Sequence, residues 1–148
     1  MPAHRDCSGP SFHQFDFWLG TWKISWPGGE GINRIEKSYN GCVILEHFDA
    51  TPSLQLVGMS VSTYDRRIGR WRQTWVDNFG NYIVLSGGPE DGKFILTSRP
   101  ARDGSPLLWR KVFEKITGDS FEWSWQKSED AGETWETLWR IEYKRVGP

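Results

Sequence analysis

Apolar and polar residues alternate along most of this chain, and the alternation is broken at short intervals. A period of two is what a strand with one buried face requires. The breaks fall at Pro27-Gly28-Gly29, Asn40-Gly41, Thr51-Pro52-Ser53, Asp65 to Gly69, Asn78-Phe79-Gly80, Gly87 to Gly92, Arg102-Asp103-Gly104, Thr117-Gly118-Asp119 and Asp130-Ala131-Gly132. Between them, runs rich in Val, Ile, Thr, Phe, Tyr and Trp predict ten strands, over 18–26, 31–39, 42–49, 55–64, 70–77, 81–86, 93–98, 107–116, 120–128 and 134–145. No segment carries a helical apolar period, and one short helix near Ser11 to Phe15 is the most the pattern allows.

Connections of hairpin length pair neighbours in sequence, which makes an antiparallel meander. A ten-stranded meander exposes two edges unless it closes. The expectation is therefore an all-β chain forming a single antiparallel up-and-down barrel of calycin type over 15–148, with a two-sheet sandwich as the competitor. Residues 1–14 read as a polar, partly disordered leader.

The stretch Phe15 to Trp26 opens the barrel. In strand register Trp18, Trp22, Ile24 and Trp26 share one face, with Gly20 among them. The chain has 148 residues, of which 15% are aromatic, with ten Trp. That is more indole than packing a small core needs, and it suggests a wide interior to line.

A net charge of -1 removes the electrostatic case for nucleic acid or an anionic membrane. No apolar run is long enough for a membrane span, and the leader lacks a hydrophobic signal core. Cys7 and Cys42 read as reduced thiols, which favours a cytoplasmic protein. With His4, His13 and His47 as the histidines, two of them in the leader, neither a metal nor another cofactor is expected.

Several strands carry candidate chemistry. In 70–77, Trp71, Gln73, Trp75 and Asp77 share a face, so Gln73 and Asp77 point inward beside indoles. Asp77 reads either as a general base or as a turn cap bonded by Asn78 to Gly80. In 42–49, Glu46 faces inward if Ile44 and Phe48 do; His47 does if Val43 and Leu45 do. In 107–116, an inward Leu108, Arg110 and Val112 would let Arg110 meet Glu46, Asp77 or an acidic ligand, and the alternative is a surface Arg. Phe121, Trp123 and Trp125 share one face of their strand; Trp135, Thr137, Trp139, Ile141 and Tyr143 share one face of the next.

Ser128-Glu129-Asp130-Ala131-Gly132-Glu133-Thr134-Trp135 resembles the Asp-box of sialidases, a structural hairpin remote from catalysis. Together with Phe17-Trp18-Leu19-Gly20-Thr21-Trp22, Gly41-Cys42, Glu46, Gly58-x-Ser60, Tyr64-Asp65, Trp71-x-Gln73-x-Trp75-x-Asp77, Arg110 and Trp139 to Arg145, it makes the chain similar to a bacterial family of lipocalin-like domains of unknown function. The resemblance implies a calycin-type barrel whose Trp22 closes the floor under Arg140 or Arg145. It implies no activity. Nitrobindin-like haem proteins open with a similar Leu-Gly-Thr-Trp but ligate haem through a late histidine, and this chain has none after His47.

The functional expectation is a cavity for a small, largely apolar ligand, lined by Trp22, Glu46, Ser60, Gln73, Trp75, Arg110, Trp123 and Trp139. The alternative is a cofactor-independent isomerase, cyclase or dehydratase in the same pocket. Glu46 or Asp77 would then be the acid or base and Arg110 would stabilise negative charge. A partner-binding module with a filled barrel is the third reading, and a homodimer is left open.

Overall fold

A computed structural model of the chain describes residues 6–148. Ten strands close into one barrel: β1 (Gly20–Trp26), β2 (Gly29–Ser38), β3 (Val43–Asp49), β4 (Val57–Asp65), β5 (Arg70–Asp77), β6 (Tyr82–Glu90), β7 (Lys93–Ser98), β8 (Leu108–Glu114), β9 (Ser120–Ser128) and β10 (Glu136–Gly147). Each pairs antiparallel with its neighbour in sequence, and β1 pairs with β10 to close the ring. The expected all-β, up-and-down barrel is the observed one. Closure leaves no sheet edge among the described residues for another chain to extend.

The opening stretch is not all strand. Trp18 lies in a 3₁₀ turn, Asp16–Trp18, which follows another at Pro10–His13. These two turns replace the single short helix expected near Ser11 to Phe15, and they carry an aromatic plug into one end of the barrel. Phe15 is fully buried, stacked 4.0 Å from Phe94 and 4.5 Å from Trp18, with Trp71 and Phe113 edge-on. Truncating a ring in so closed a setting costs about 3–5 kcal/mol.

Two side-chain devices hold the plug. Lys37 Nζ donates to Asp16 Oδ1 at 2.6 Å and to the Phe12 carbonyl at 3.1 Å. Cys7 and Cys42 form a disulfide, which corrects the expectation of two reduced thiols. A polar leader carries no local signal that would bring Cys7 to a fixed partner. Burial of Phe12 folds it back over the barrel end, where Cys7 meets Cys42 beside the β2–β3 turn. Residues 1–5 of the expected leader lie outside the described residues.

Below the plug, Trp22 is buried, and its Nε1 donates to the Trp18 carbonyl at 2.8 Å. Arg145 places its guanidinium 4.3 Å over the Trp22 ring and donates to the carbonyls of Leu19, Phe17 and Gly118. Gly20 makes this possible. Its φ is +128°, and a Cβ there would collide with the Arg145 guanidinium.

Two local features depart from the expected pattern. The strand ending expected before Gly87 runs on to Glu90, so Gly87, Gly88 and Pro89 lie in β6 rather than in a turn. In β10 a bulge between Thr137 and Trp139 breaks the alternation. Thr137 pairs with Gln126 and Trp139 with Trp125. Trp135 and Thr137 therefore sit outside, while Trp139, Ile141 and Tyr143 sit inside.

Candidate functional site

Along the barrel axis the interior is layered. The plugged end is solid aromatic and aliphatic packing. The middle layer is polar and buried: Asn33, Glu46, Ser60, Ser62, Gln73, Lys111 and Tyr143. Beyond it, Phe48, Trp75, Trp109, Trp123, Trp125 and Trp139 form a collar. Between middle layer and collar lies a cavity of about 390 Å³, with Glu46, Lys111 and Tyr143 at its inner end. It opens where Leu56, Asp77 and the exposed Asn81 stand.

Register places each polar group. Glu46 pairs with Ser60 across β3–β4 and with Ile35 across β2–β3, so it shares the inner face with Ile44 and Phe48. It is 4% exposed. Its Oε1 accepts from Ser60 Oγ at 2.7 Å and its Oε2 from Asn33 Nδ2 at 2.8 Å. Asn33 Nδ2 also donates to the Tyr143 hydroxyl at 2.9 Å, while Asn33 Oδ1 is buried with no partner. Burial, helped by the Glu46 charge and opposed by the Asn33 bond, lifts the Tyr143 pKa well above 10.0, so this phenol stays neutral. His47 turns outward toward Glu36, at 3.4 Å.

Lys111 is the group that the sequence reading missed. It is 6% exposed and lies between Leu96 and Trp125 on the inner face. Its Nζ donates to Gln73 Oε1 at 2.5 Å across the barrel interior and stands 5.0 Å from the Trp75 ring centroid. Gln73 in turn donates to Ser62 Oγ at 3.0 Å. Desolvation lowers the Lys111 pKa, and the charge of Glu46 opposes that shift. No carboxylate lies within ion-pair distance of Lys111 among the described residues. Parity with Trp109 and Phe113 was the available signal for an inward Lys111.

The same parity turns Arg110 out. Its Nε donates to Gln126 Oε1 at 2.7 Å, and its guanidinium lies 4.1 Å over the Trp135 ring. The expectation that Arg110 faces the cavity is thus corrected. Val112 misled it: this apolar residue is buried on the outer face of β8, opposite Ser124.

The other expected residues divide. Trp75, Trp123 and Trp139 line the cavity, and Ser60 and Gln73 stand in its polar layer. Trp22 lies below it, under Arg145, and is not part of its wall. Asp77 is at the mouth as a turn cap. It accepts from Trp75 Nε1 at 2.9 Å, from Phe79 N at 2.9 Å, and from the backbone and side chain of Asn81. Burial alone would raise its pKa; those bonds outweigh burial and hold it below 3.8.

The Ser128 to Trp135 hairpin is outside the cavity. Asp130 accepts from Ser128 Oγ at 2.7 Å, Thr134 N at 2.8 Å and Thr134 Oγ1 at 2.5 Å, and Trp135 Nε1 caps the Gly132 carbonyl at 3.1 Å. Its role is to shape the β9–β10 turn and to seat Trp135 beneath Arg110.

These features define a closed ten-stranded antiparallel barrel with one aromatic-walled cavity described above a buried polar floor. Within that class the chain belongs to a family described as a protein of unknown function (DUF1579), matched over residues 30–145. No curated protein matches the chain. No group of side chains suited to a metal ion occurs among the described residues, and none of their helices is long and apolar enough to cross a membrane.

Proposed function

We propose that this barrel binds a small, largely apolar molecule, with its polar end against Glu46 and Lys111 and its body among Trp75, Trp123 and Trp139. The observation that carries this is the cavity itself: about 390 Å³, walled by indoles, with convergent polar groups at its inner end. Ligand sites have this composition and this size range. Ser60, Asn33 and Gln73 fix the polar groups rather than touch the ligand. A filled barrel serving only as a partner module is disfavoured by the same cavity.

The enzyme reading stands second, as a cofactor-independent isomerase, cyclase or dehydratase. It is supported by Glu46 and Lys111 lying in one water-poor floor, the carboxylate as base and the ammonium stabilising developing negative charge. Lys111 takes the role expected of Arg110, and the capped Asp77 is the weaker candidate for the base.

Arg145 over Trp22 supports kinship with lipocalin-like barrels. The Cys7–Cys42 bond weighs against the cytoplasmic location that the sequence suggests, because such bonds persist in oxidising compartments.

Native mass spectrometry of the protein purified from its own host tests the binding reading. A retained small molecule, lost on Trp75→Ala, is expected. An empty barrel that also fails to bind planar apolar probes overturns it.

A further inference from the structure

We propose that Lys111 forms a Schiff base with an aldehyde or ketone carbonyl at the polar end of a flat apolar ligand. This rests on the cavity being a ligand site and adds the chemical class of the ligand.

The argument starts from what surrounds the amine. Lys111 Nζ is at the inner end of the cavity, and its hydrogen bond goes to a neutral amide, Gln73. A lysine held for structure alone would be expected to meet a carboxylate; here Glu46 is near enough to interact electrostatically but is engaged by Ser60 and Asn33. An anionic ligand head would face Glu46 as well as Lys111. A carbonyl is neutral, accepts a hydrogen bond and meets no repulsion. Burial also lowers the proton affinity of Nζ, which raises the fraction of free amine able to attack. All other lysines of the chain are at least partly exposed and lie outside the cavity lining.

The chemistry balances within the site. The Nζ lone pair attacks the carbonyl carbon, and the C=O π pair moves to oxygen. One amine proton passes to that oxygen, giving a carbinolamine. The hydroxyl then leaves with the second amine proton as water, and C=N forms. Amine plus carbonyl gives imine plus water, with no oxidant or reductant. The indole walls hold the planar conjugated body and keep bulk water from reversing the step.

The test uses the full chain with equimolar 2-naphthaldehyde at neutral pH and sodium cyanoborohydride to trap any imine. Intact mass and peptide mapping then locate the adduct. One adduct per chain is expected, on Lys111, formed roughly tenfold faster than on any other lysine. Lys111→Met should lose it. The alcohol 2-naphthylmethanol, which has no carbonyl, should quench the cavity tryptophans and slow the labelling. If the alcohol quenches but the aldehyde labels exposed lysines without preference, the Schiff base is wrong and the binding site stands. If the alcohol neither quenches nor competes, the binding site falls and the inference with it. Mapping on the unaltered chain keeps the result readable even if Lys111→Met does not fold.

Discussion

Lys111 and Gln73 meet across the inside of the barrel, the ammonium donating to the amide oxygen at 2.5 Å, from strands three places apart in the ring. The bond ties the two walls of the cavity and leaves the amine without a counter-charge in direct contact. Its consequence for stability has a definite sign. The folded-state pKa of Lys111 lies below 10.5, so between that depressed value and 10.5 the unfolded chain binds a proton that the folded chain does not. Stability then rises with pH across this window. Urea melts of the parent chain and of Lys111→Met should show the parent gaining relative to the variant as pH is raised toward 10; parallel curves would contradict the assignment.

Closure of the plugged end depends on Gly20 yielding space to Arg145. Gly20→Ala places a Cβ against the guanidinium at a φ that alanine rarely adopts. A loss of about 2–4 kcal/mol is expected from combined strain and overpacking. Arg145→Met, which keeps the length and drops the bonds to Leu19, Phe17 and Gly118, should lose about 2–3 kcal/mol. Denaturant midpoints measure both.

The collar and the outer face should respond differently to ligand. Trp75→Ala or Trp139→Leu should weaken binding of 2-naphthylmethanol by roughly tenfold or more, equivalent to about 1.4 kcal/mol. Arg110→Ala should leave that affinity unchanged, because its guanidinium lies over Trp135 outside the barrel. Titration calorimetry distinguishes them.

Joining Cys7 to Cys42 closes a loop with a sequence separation of 35. Replacing both by serine, or reducing the bond, should lower stability by about 2–4 kcal/mol. The plug should loosen first, seen as faster hydrogen exchange at the Phe12 and Trp18 amides. Uniform exchange across the barrel would show that the bond does not anchor the plug.

Asp130 has its pKa lowered to about 2, first by the Thr134 hydroxyl and then by the Thr134 amide and Ser128. A depressed carboxyl contributes stability above its unfolded value of 3.8, and that contribution is lost as pH falls toward 2. Carboxyl carbon shifts followed by NMR should place the Asp130 midpoint near 2. Asp130→Asn should remove the corresponding acid-side slope in melting temperature.

The strands were legible because single-sided burial imposes alternation and Gly-bearing turns interrupt it. Glu46 could be read only conditionally, since Val43 and Leu45 offered an apolar face as good as Ile44 and Phe48. Lys111 was obscured because Leu108, Arg110 and Val112 form a plausible inner face until Val112 is found buried on the outside, opposite Ser124. The bulge at Leu138 leaves no mark in composition, so Trp135 and Thr137 were placed with Trp139 on one side. Trp18 looked like strand because its spacing fits, but the chain there must turn in to stopper the barrel. The disulfide depends on Phe12 folding the leader back over the barrel end, a long-range event that local pattern does not encode.

Because the chain's own Phe15 and Trp18 stopper one end, anything held as proposed would have to enter and leave by the same mouth. On that reading a guest would come in head first between the indoles, with whatever it trails left nearest the water. Molecules that are polar at both tips would strand one of them among the rings, so such a vessel would sort by asymmetry as much as by girth.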